Sequence, residues 1–360
     1  MTDDRTTSDP LEPEVDPLEP DAVAAASRVP VTELEMTTLA SQDQSLVRME
    51  DGPSDLGGPV AAQTEFRLVF KRFVRHKAAM IALVVLVLIV ITAFSSIGFG
   101  PIGGWWKHKY TTFEPALTDG GKPTLKVWPP SLGDHPFGQD SSGRDYFAMT
   151  MRGMQQSIII AFIVGIVATV VGTVIGALAG YFRGWIEAVL MRMTDVIITI
   201  PLLAVAAVVG HKVSGSSIVF LGLFLGLLTW TGLARIVRGE FLSLREKEFV
   251  DAARSVGASS RRIIFRHILP NTIGVITVSA TLAISGAILL ETALSFLSFG
   301  VQSPDTSLGL LLEQNRQAMD VRPYLFWWPG LFIVAISLAI NFVGDGLRDA
   351  FDPRQIRSKA

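Results

Sequence analysis

Cysteine is absent from all 360 residues. That excludes a disulfide scaffold, thiolate zinc sites, iron–sulfur ligation and a cysteine nucleophile, and it leaves the redox compartment open. Charge is scarce as well. Asp, Glu, Lys and Arg make up 18% of the chain, against about 25% in an ordinary soluble domain, too few to clothe a water-facing surface. No G-x-x-x-x-G-K-[ST] loop occurs, and Gly120-Gly121-Lys122-Pro123 lacks its spacing, so the chain does not cradle nucleotide phosphates. The opening Met1-Thr2-Asp3-Asp4 has neither the basic stretch nor the apolar core of a secretory leader. What is present is a 49% hydrophobic chain whose formal charge of −2 hides an asymmetry. Residues 1–60 hold 14 acidic and 3 basic residues, a net of −11; the rest hold 19 acidic and 28 basic ones, a net of +9. That first stretch also carries seven prolines, several in acid–proline steps such as Asp9-Pro10 and Glu12-Pro13. It cannot bury enough apolar surface to offset its ordering entropy, so residues 1–64 read as a disordered acidic tail.

A helix needs about 20 largely apolar residues to cross the hydrocarbon. Six stretches meet or approach this: Ala78–Ser95, Ser157–Gly180, Val196–Gly210, Ser217–Leu233, Ile273–Leu297 and Phe326–Val343. The third is short and carries Pro201, which points to a kink. The second carries Gly172, Gly176 and Gly180 in four-residue steps, a groove into which another helix backbone fits. The expected fold is all-α, a polytopic membrane protein with six transmembrane helices. Orientation follows from basic residues near span ends. Arg67, Lys71, Arg72, Arg75 and Lys77 precede the first span, and eight basic residues face four acids between the fourth and fifth. Both termini and that fourth connection are therefore expected in the cytoplasm.

The connection reads GEFLSLREKEFVDAARSVGASSRRIIFRHILPN from Gly239 to Asn271. Ser243 and Glu246 form a capping box that predicts a helix start, and Gly257 suits the left-handed position that ends one. Between them Phe249, Ala252, Ala253 and Val256 share one side, and a second short helix is expected from Ser260 to Leu269, stopped by Pro270. So short a helix is marginal in water alone. Its small apolar side must dock, either on lipid as an interfacial helix or in a close-fitting partner groove.

Asp251-Ala252-Ala253, then Gly257, then Ile268-Leu269-Pro270 closely resembles the EAA loop of ABC importer permeases, with Asp where that family has Glu. Phe137-Gly138-Gln139-Asp140 followed by Gly143-Arg144-Asp145 is similar to the G-T-D-x-x-G-R-D block of the dipeptide/oligopeptide/nickel permeases, C-type subunit, with Gln139 departing from Thr. Gly180–Trp185, the run Glu291–Leu297 and the run Asn341–Asp349 extend the resemblance over roughly residues 65–355. It implies a cytoplasmic coupling helix carrying Glu248, Phe249, Asp251, Ala252, Ala253, Val256, Gly257, Ile268, Leu269 and Pro270 toward a separate ATPase. It further implies a homologous second permease, two ATPase subunits and an external substrate-binding protein, in a bacterial cytoplasmic membrane. Peptides are the implied cargo, with nickel or another small solute as the alternative. Residues 65–156 then hold the first span and external loop, 157–346 the permease transmembrane domain, and 347–360 a cytoplasmic tail.

No catalytic residue, cofactor, metal site or nucleic-acid partner is expected. His211 with Ser214 and Ser216 lacks the orienting acid a serine hydrolase needs. Glu291, about 30 Å along its helix from Pro270, reads as a hydrogen-bonded structural group near the outer surface. A lone carboxylate there is a poor proton relay, which argues against the other class considered, a stand-alone secondary transporter or channel. Asp140, Arg144 and Asp145 are expected to pair with one another, and Trp105-Trp106 and Trp327-Trp328 to sit in an aromatic belt.

Overall fold

The computed structural model describes residues 65–126, 131–212 and 217–351. The acidic tail, residues 352–360, Ser214, Ser216 and the side chain of His211 lie outside this description. The body begins with α1 (Glu65–Arg75) and α2 (Lys77–Ser96), separated at His76, whose Nδ1 accepts from the Ala79 amide at 3.1 Å. A hairpin of two-residue strands, β1 (Gly98–Phe99) with β2 (Ile102–Gly103), opens a largely irregular cap with a single 3-10 turn at Thr118–Gly121 among its described residues. There follow α3 (Tyr146–Phe182), α4 (Gly184–Thr199), α5 (Leu202–Lys212), α6 (Ile218–Thr229) and α7 (Thr231–Arg245). A short α8 (Glu248–Ser255), a long α9 (Ser260–Phe296), α10 (Leu308–Gln314) and α11 (Tyr324–Phe351) complete the order.

Helices α2, α3, α9 and α11 are each long and apolar enough to cross a membrane; α4 with α5, and α6 with α7, qualify only as bent pairs, giving up to six spans. The α4–α5 break, a 76° bend, has a local cause. Pro201 biases the residue before it toward extended backbone, and Ile200 adopts φ −78°, ψ 125°. The α6–α7 bend of 46° falls at Trp230, which is buried beside Ala168 and Ala234.

Three expectations need correction. Helix α3 begins at Tyr146, not Ser157, because its polar first turns are buried against partners: Gln155 donates to the carbonyls of Ala93 and Gly98 at 2.8 and 2.9 Å. The capping box does not form. Ser243 lies inside α7, and Glu246 ends that helix while pairing with Arg183 at 3.0 Å. Nor does Pro270 stop a separate short helix. The helix from Ser260 runs on to Phe296, widened to π geometry over Ile263–Ile268, where the Leu269 amide reaches the Ile264 carbonyl. A proline ring crowds the carbonyl four residues back, and the wider turn ahead of Pro270 relieves that contact. The boundaries placed after residues 156 and 346 fall inside α3 and α11.

Helix α3 is the axis, with α6, α7 and α9 packed directly on it. The main core surrounds its first half through Tyr146, Met154, Ile160, Ile288, Leu311 and Ile336. A smaller core at its far end gathers Tyr181, Leu233, Phe241, Val250, Ile263 and Ile268. Ile81, Val84, Leu88 and Ile91 of α2 remain exposed, an aliphatic face suited to lipid.

Candidate functional site

The two ends of α3 gather most of the side-chain chemistry. At the far end, α8 stands between α7 and α9. Glu248 and Asp251 occupy its first turn and Arg254 its last, in keeping with the helix dipole. It ends in a Schellman motif: the Ala258 amide reaches the Ala253 carbonyl at 3.0 Å, and the Gly257 amide reaches Arg254 at 2.9 Å. Gly257 has φ +83°, a conformation that side chains other than glycine adopt at a cost. Val250 is fully buried in the smaller core, with Ala253 and Ala258 packed beside it. The opposite face is open: Phe249 is exposed, Ala252 is exposed, and Val256 is 90% exposed. The candidate set therefore divides. Ala253 turns toward the body and Ile268 is buried within it, while Glu248, Phe249, Asp251, Ala252, Val256, Gly257 and Pro270 face outward, with Leu269 half-buried.

The platform behind α8 is tied to α3. A Cβ added at Gly172, Gly176 or Gly180 would come within 2.8, 2.5 or 2.8 Å of the carbonyls of Trp230, Ala234 and Arg238, so α7 is the helix whose backbone lies in the glycine groove. Arg245 donates to the Tyr181 carbonyl. Arg238 Nε donates to Glu187 at 2.7 Å, and Arg235 pairs with Asp195 at 2.6 Å, joining α4 to α7.

At the start of α3 the block from Gly138 to Asp145 forms a knot. Asp140 accepts from the amides of Ser142 and Arg144 at 2.9 and 2.8 Å and from Arg144 Nε at 2.7 Å. Asp145 does not join that pair. It caps α3 through the Ala148 amide at 2.8 Å, and it accepts from Trp106 Nε1 at 2.8 Å. Gly138 has no room for a side chain against the Gly121 carbonyl, and Gly143 has none against that of Glu114, a Cβ there falling 2.3 Å away. Trp106 and Trp328 are thus drawn into the cap, Trp328 stacking on Phe137 at 4.0 Å, while Trp105 and Trp327 stay exposed.

Beyond the knot, Glu291 is fully buried and accepts from Ser157 Oγ at 2.8 Å and Ser295 Oγ at 2.7 Å. Arg152 pairs with Asp305 at 2.9 and 3.0 Å, and Gln156 donates to the same carboxylate at 2.7 Å. These three residues line an open cleft of about 460 Å³ with Phe99, Ser217 and Leu221. The sequence reading also passed over His108, Glu114 and His135, which the cap folds into one cluster with all potential ligand atoms within 4.8 Å of one another. The signal available was small: two of the five histidines fall in the segment before α3, with a glutamate between them.

Comparison with known proteins adds the family. The profile of the binding-protein-dependent transport system inner membrane component matches residues 172–357. That of the N-terminal TM domain of oligopeptide transport permease C matches residues 64–111. The oligopeptide transport system permease protein OppC of Mycobacterium tuberculosis is 38% identical over 287 residues, 79% of this chain and 94% of its own. Its counterpart in Haemophilus influenzae is 36% identical over 284 residues, 79% and 87% of the two chains. Among solved structures, the inward-facing MetNI methionine ABC transporter aligns over 57% of this chain and 96% of its own, at 18% identity and a TM-score of 0.44. With more than half its length matched and two relatives above 30% identity along most of both chains, the chain belongs to the binding-protein-dependent transport system inner membrane components.

Proposed function

We propose that this chain is a non-catalytic permease subunit of an ATP-driven peptide importer in the bacterial cytoplasmic membrane, both termini inside. It forms one half of the pathway beside a homologous second permease, with two ATPase subunits below and a binding protein delivering peptide above. The relatives' names support the cargo. The observation that carries the mechanism is the two-sided α8. One face is fixed to the body by Val250, and the other offers Phe249, Ala252 and Val256 as a small apolar surface.

In this reading the ATPase grips that open face. Movement of the gripped helix passes through Val250 into the core shared with α7 and α3, because the three pack as one unit. The ATPase thereby prefers one of two arrangements of the bundle, which is what coupling requires. The cleft lined by Arg152, Gln156 and Asp305 lies near the start of α3 and gives main-chain-like cargo polar groups along an otherwise aliphatic route. Asp140 and Asp145 are buried in the knot, so contact with the delivering protein falls to other residues of the cap.

The absence of cysteine makes the test clean. Val256→Cys introduces a single thiol on the open face of α8, and in native membranes it is expected to cross-link to an ATPase subunit. The reconstituted complex should take up peptide only with ATP. Uptake driven by an ion gradient without nucleotide, or a Val256→Cys thiol that reaches only lipid, would overturn the assignment. Uptake of nickel in place of peptide would change the cargo and leave the coupling intact.

A further inference from the structure

The cap holds a cluster that transport coupling does not use. His108 Nδ1 lies 2.8 Å from Glu114 Oε1, and His135 Nε2 lies 3.2 Å from Glu114 Oε2. The two imidazole centroids are 4.6 Å apart. Asp145, 1% exposed, stands behind His135 with Oδ1 2.8 Å from its Nδ1, and Gln139 Nε2 donates to Glu114 Oε2 at 3.0 Å.

The proton inventory is the informative part. An ionised carboxylate only accepts, and Asp145 already takes hydrogen bonds from Trp106 and the Ala148 amide. His135 must therefore give it the Nδ1 proton. In a neutral ring Nε2 is then a bare lone pair, and what it faces is a Glu114 oxygen, another acceptor. His108 Nδ1 likewise faces a Glu114 oxygen, and its buried Nε2 has no protein partner to fix the tautomer. Beside the two imidazoles stand the carboxylates Glu114 and Asp145, while the nearby Asp134 is paired with Lys107 and Asp140 with Arg144. The two carboxylates that touch the imidazoles have no Lys or Arg partner among the described ion pairs.

We infer that His108, Glu114 and His135 bind one divalent transition-metal ion of the zinc class. A metal would accept the lone pairs that His108 Nδ1 and His135 Nε2 turn toward Glu114, and its positive charge would offset that carboxylate. Two imidazoles with a carboxylate suit zinc and its neighbours, whereas calcium and magnesium take oxygen ligands. The 3.2 Å separation of His135 Nε2 from Glu114 Oε2 is close to the edge of about 3.3 Å expected for a tetrahedron with zinc–ligand bonds near 2.0–2.1 Å, and His108 Nδ1 at 2.8 Å from Oε1 is within reach of the same ion. Asp145 behind His135 is the carboxylate–histidine–metal arrangement that fixes a ligand's tautomer, and Gln139 orients Glu114 in the same way. Three protein ligands leave a fourth position, and the partial exposure of His108 and Glu114 gives it access to water. The ion would staple the segment carrying residues 108 and 114 to the residue that positions the cap of α3. Gln139, the departure from threonine in the knot, is the side chain that builds this support.

The test uses the full-length protein in detergent, carrying no polyhistidine tag, stripped with chelator and then given zinc chloride. About one zinc per chain is expected by elemental analysis, with a rise in melting temperature that chelator reverses. X-ray absorption should show a nitrogen/oxygen shell near 2.0 Å. His108→Ala should lose both the stoichiometric zinc and the thermal shift. Should that variant aggregate, Glu114→Gln, which keeps an acceptor for Gln139, is expected to do the same. Gln139→Ala, acting only through Glu114, should weaken binding about tenfold or more without abolishing it. Equal zinc content in wild type and both ligand variants would mean adventitious binding. A cap stabilised by acid alone, with no response to zinc, would mean that protons hold the cluster. Either result overturns the inference.

Discussion

Val250 and Val256 sit six positions apart around the same short helix and do opposite work. Val250 is completely enclosed, and Val256 is among the most exposed aliphatic side chains described. Truncating Val250→Ala should cost about 1–3 kcal/mol of body stability through lost burial and a cavity, read as a lower melting temperature in detergent. Val256→Glu should leave melting within about 0.5 kcal/mol of wild type, as surface changes do, yet abolish stimulation of the partner's ATP hydrolysis. Ala253→Glu, attractive from spacing alone, confuses the two effects because Ala253 leans on the body; Ala252→Glu separates them. Helical spacing marked α8 as a helix that must dock but did not say that Val250 seats it on the chain's own body. Its apolar letters share one broad side, and only the placement of Phe241 and Ile263 beside Val250 shows which edge of that side the chain keeps for itself. His108, Glu114 and His135 were illegible for a related reason: they are joined by tertiary closure of an irregular cap, which carries no period.

At the scale of elements, the apolar spans were plain in the sequence because uninterrupted runs of Val, Ile and Leu have few alternatives to crossing lipid. The ends were not. A hydropathy count stops at Gln156, whereas the helix begins where Asp145 supplies a cap, and Arg152, Gln155 and Gln156 are accommodated by Asp305 and by backbone carbonyls. Pro270 misled in the opposite direction, since a π turn lets the chain carry it. The glycine groove between α3 and α7 gives a sharp expectation. Gly176→Leu drives a side chain into the Ala234 carbonyl and should destabilise by about 1–3 kcal/mol or force the helices apart. Gly239→Ala, on the open side of α7 with nothing within 4 Å, should stabilise by about 0.5–1 kcal/mol through helix propensity. Thermal unfolding of both variants in one detergent checks the pair, and equal shifts of the same sign would refute the groove.

For the whole molecule, every residue assigned a role lies between 65 and 351, and the acidic tail is read from its charge alone. Deleting residues 2–60 removes a net −11 and is expected to leave peptide uptake and ATPase stimulation unchanged in proteoliposomes. A loss of uptake would give the tail a regulatory part. The body itself is organised by one uncommon component. Helix α3 is 37 residues long without a proline, about 55 Å at 1.5 Å per residue, nearly twice the hydrocarbon thickness of about 30 Å. One tip is knotted at Asp145 and the other is clasped by Arg245. Kinks in helices arise at prolines, at π turns or where the ladder is interrupted, and α3 has none of the first two. It is a strut: if the proposed partner tugs at the Tyr181 end, the proline-free rod gives no elbow in which the pull would dissipate, and it would arrive at the Asp145 end as a tilt of the entire mast.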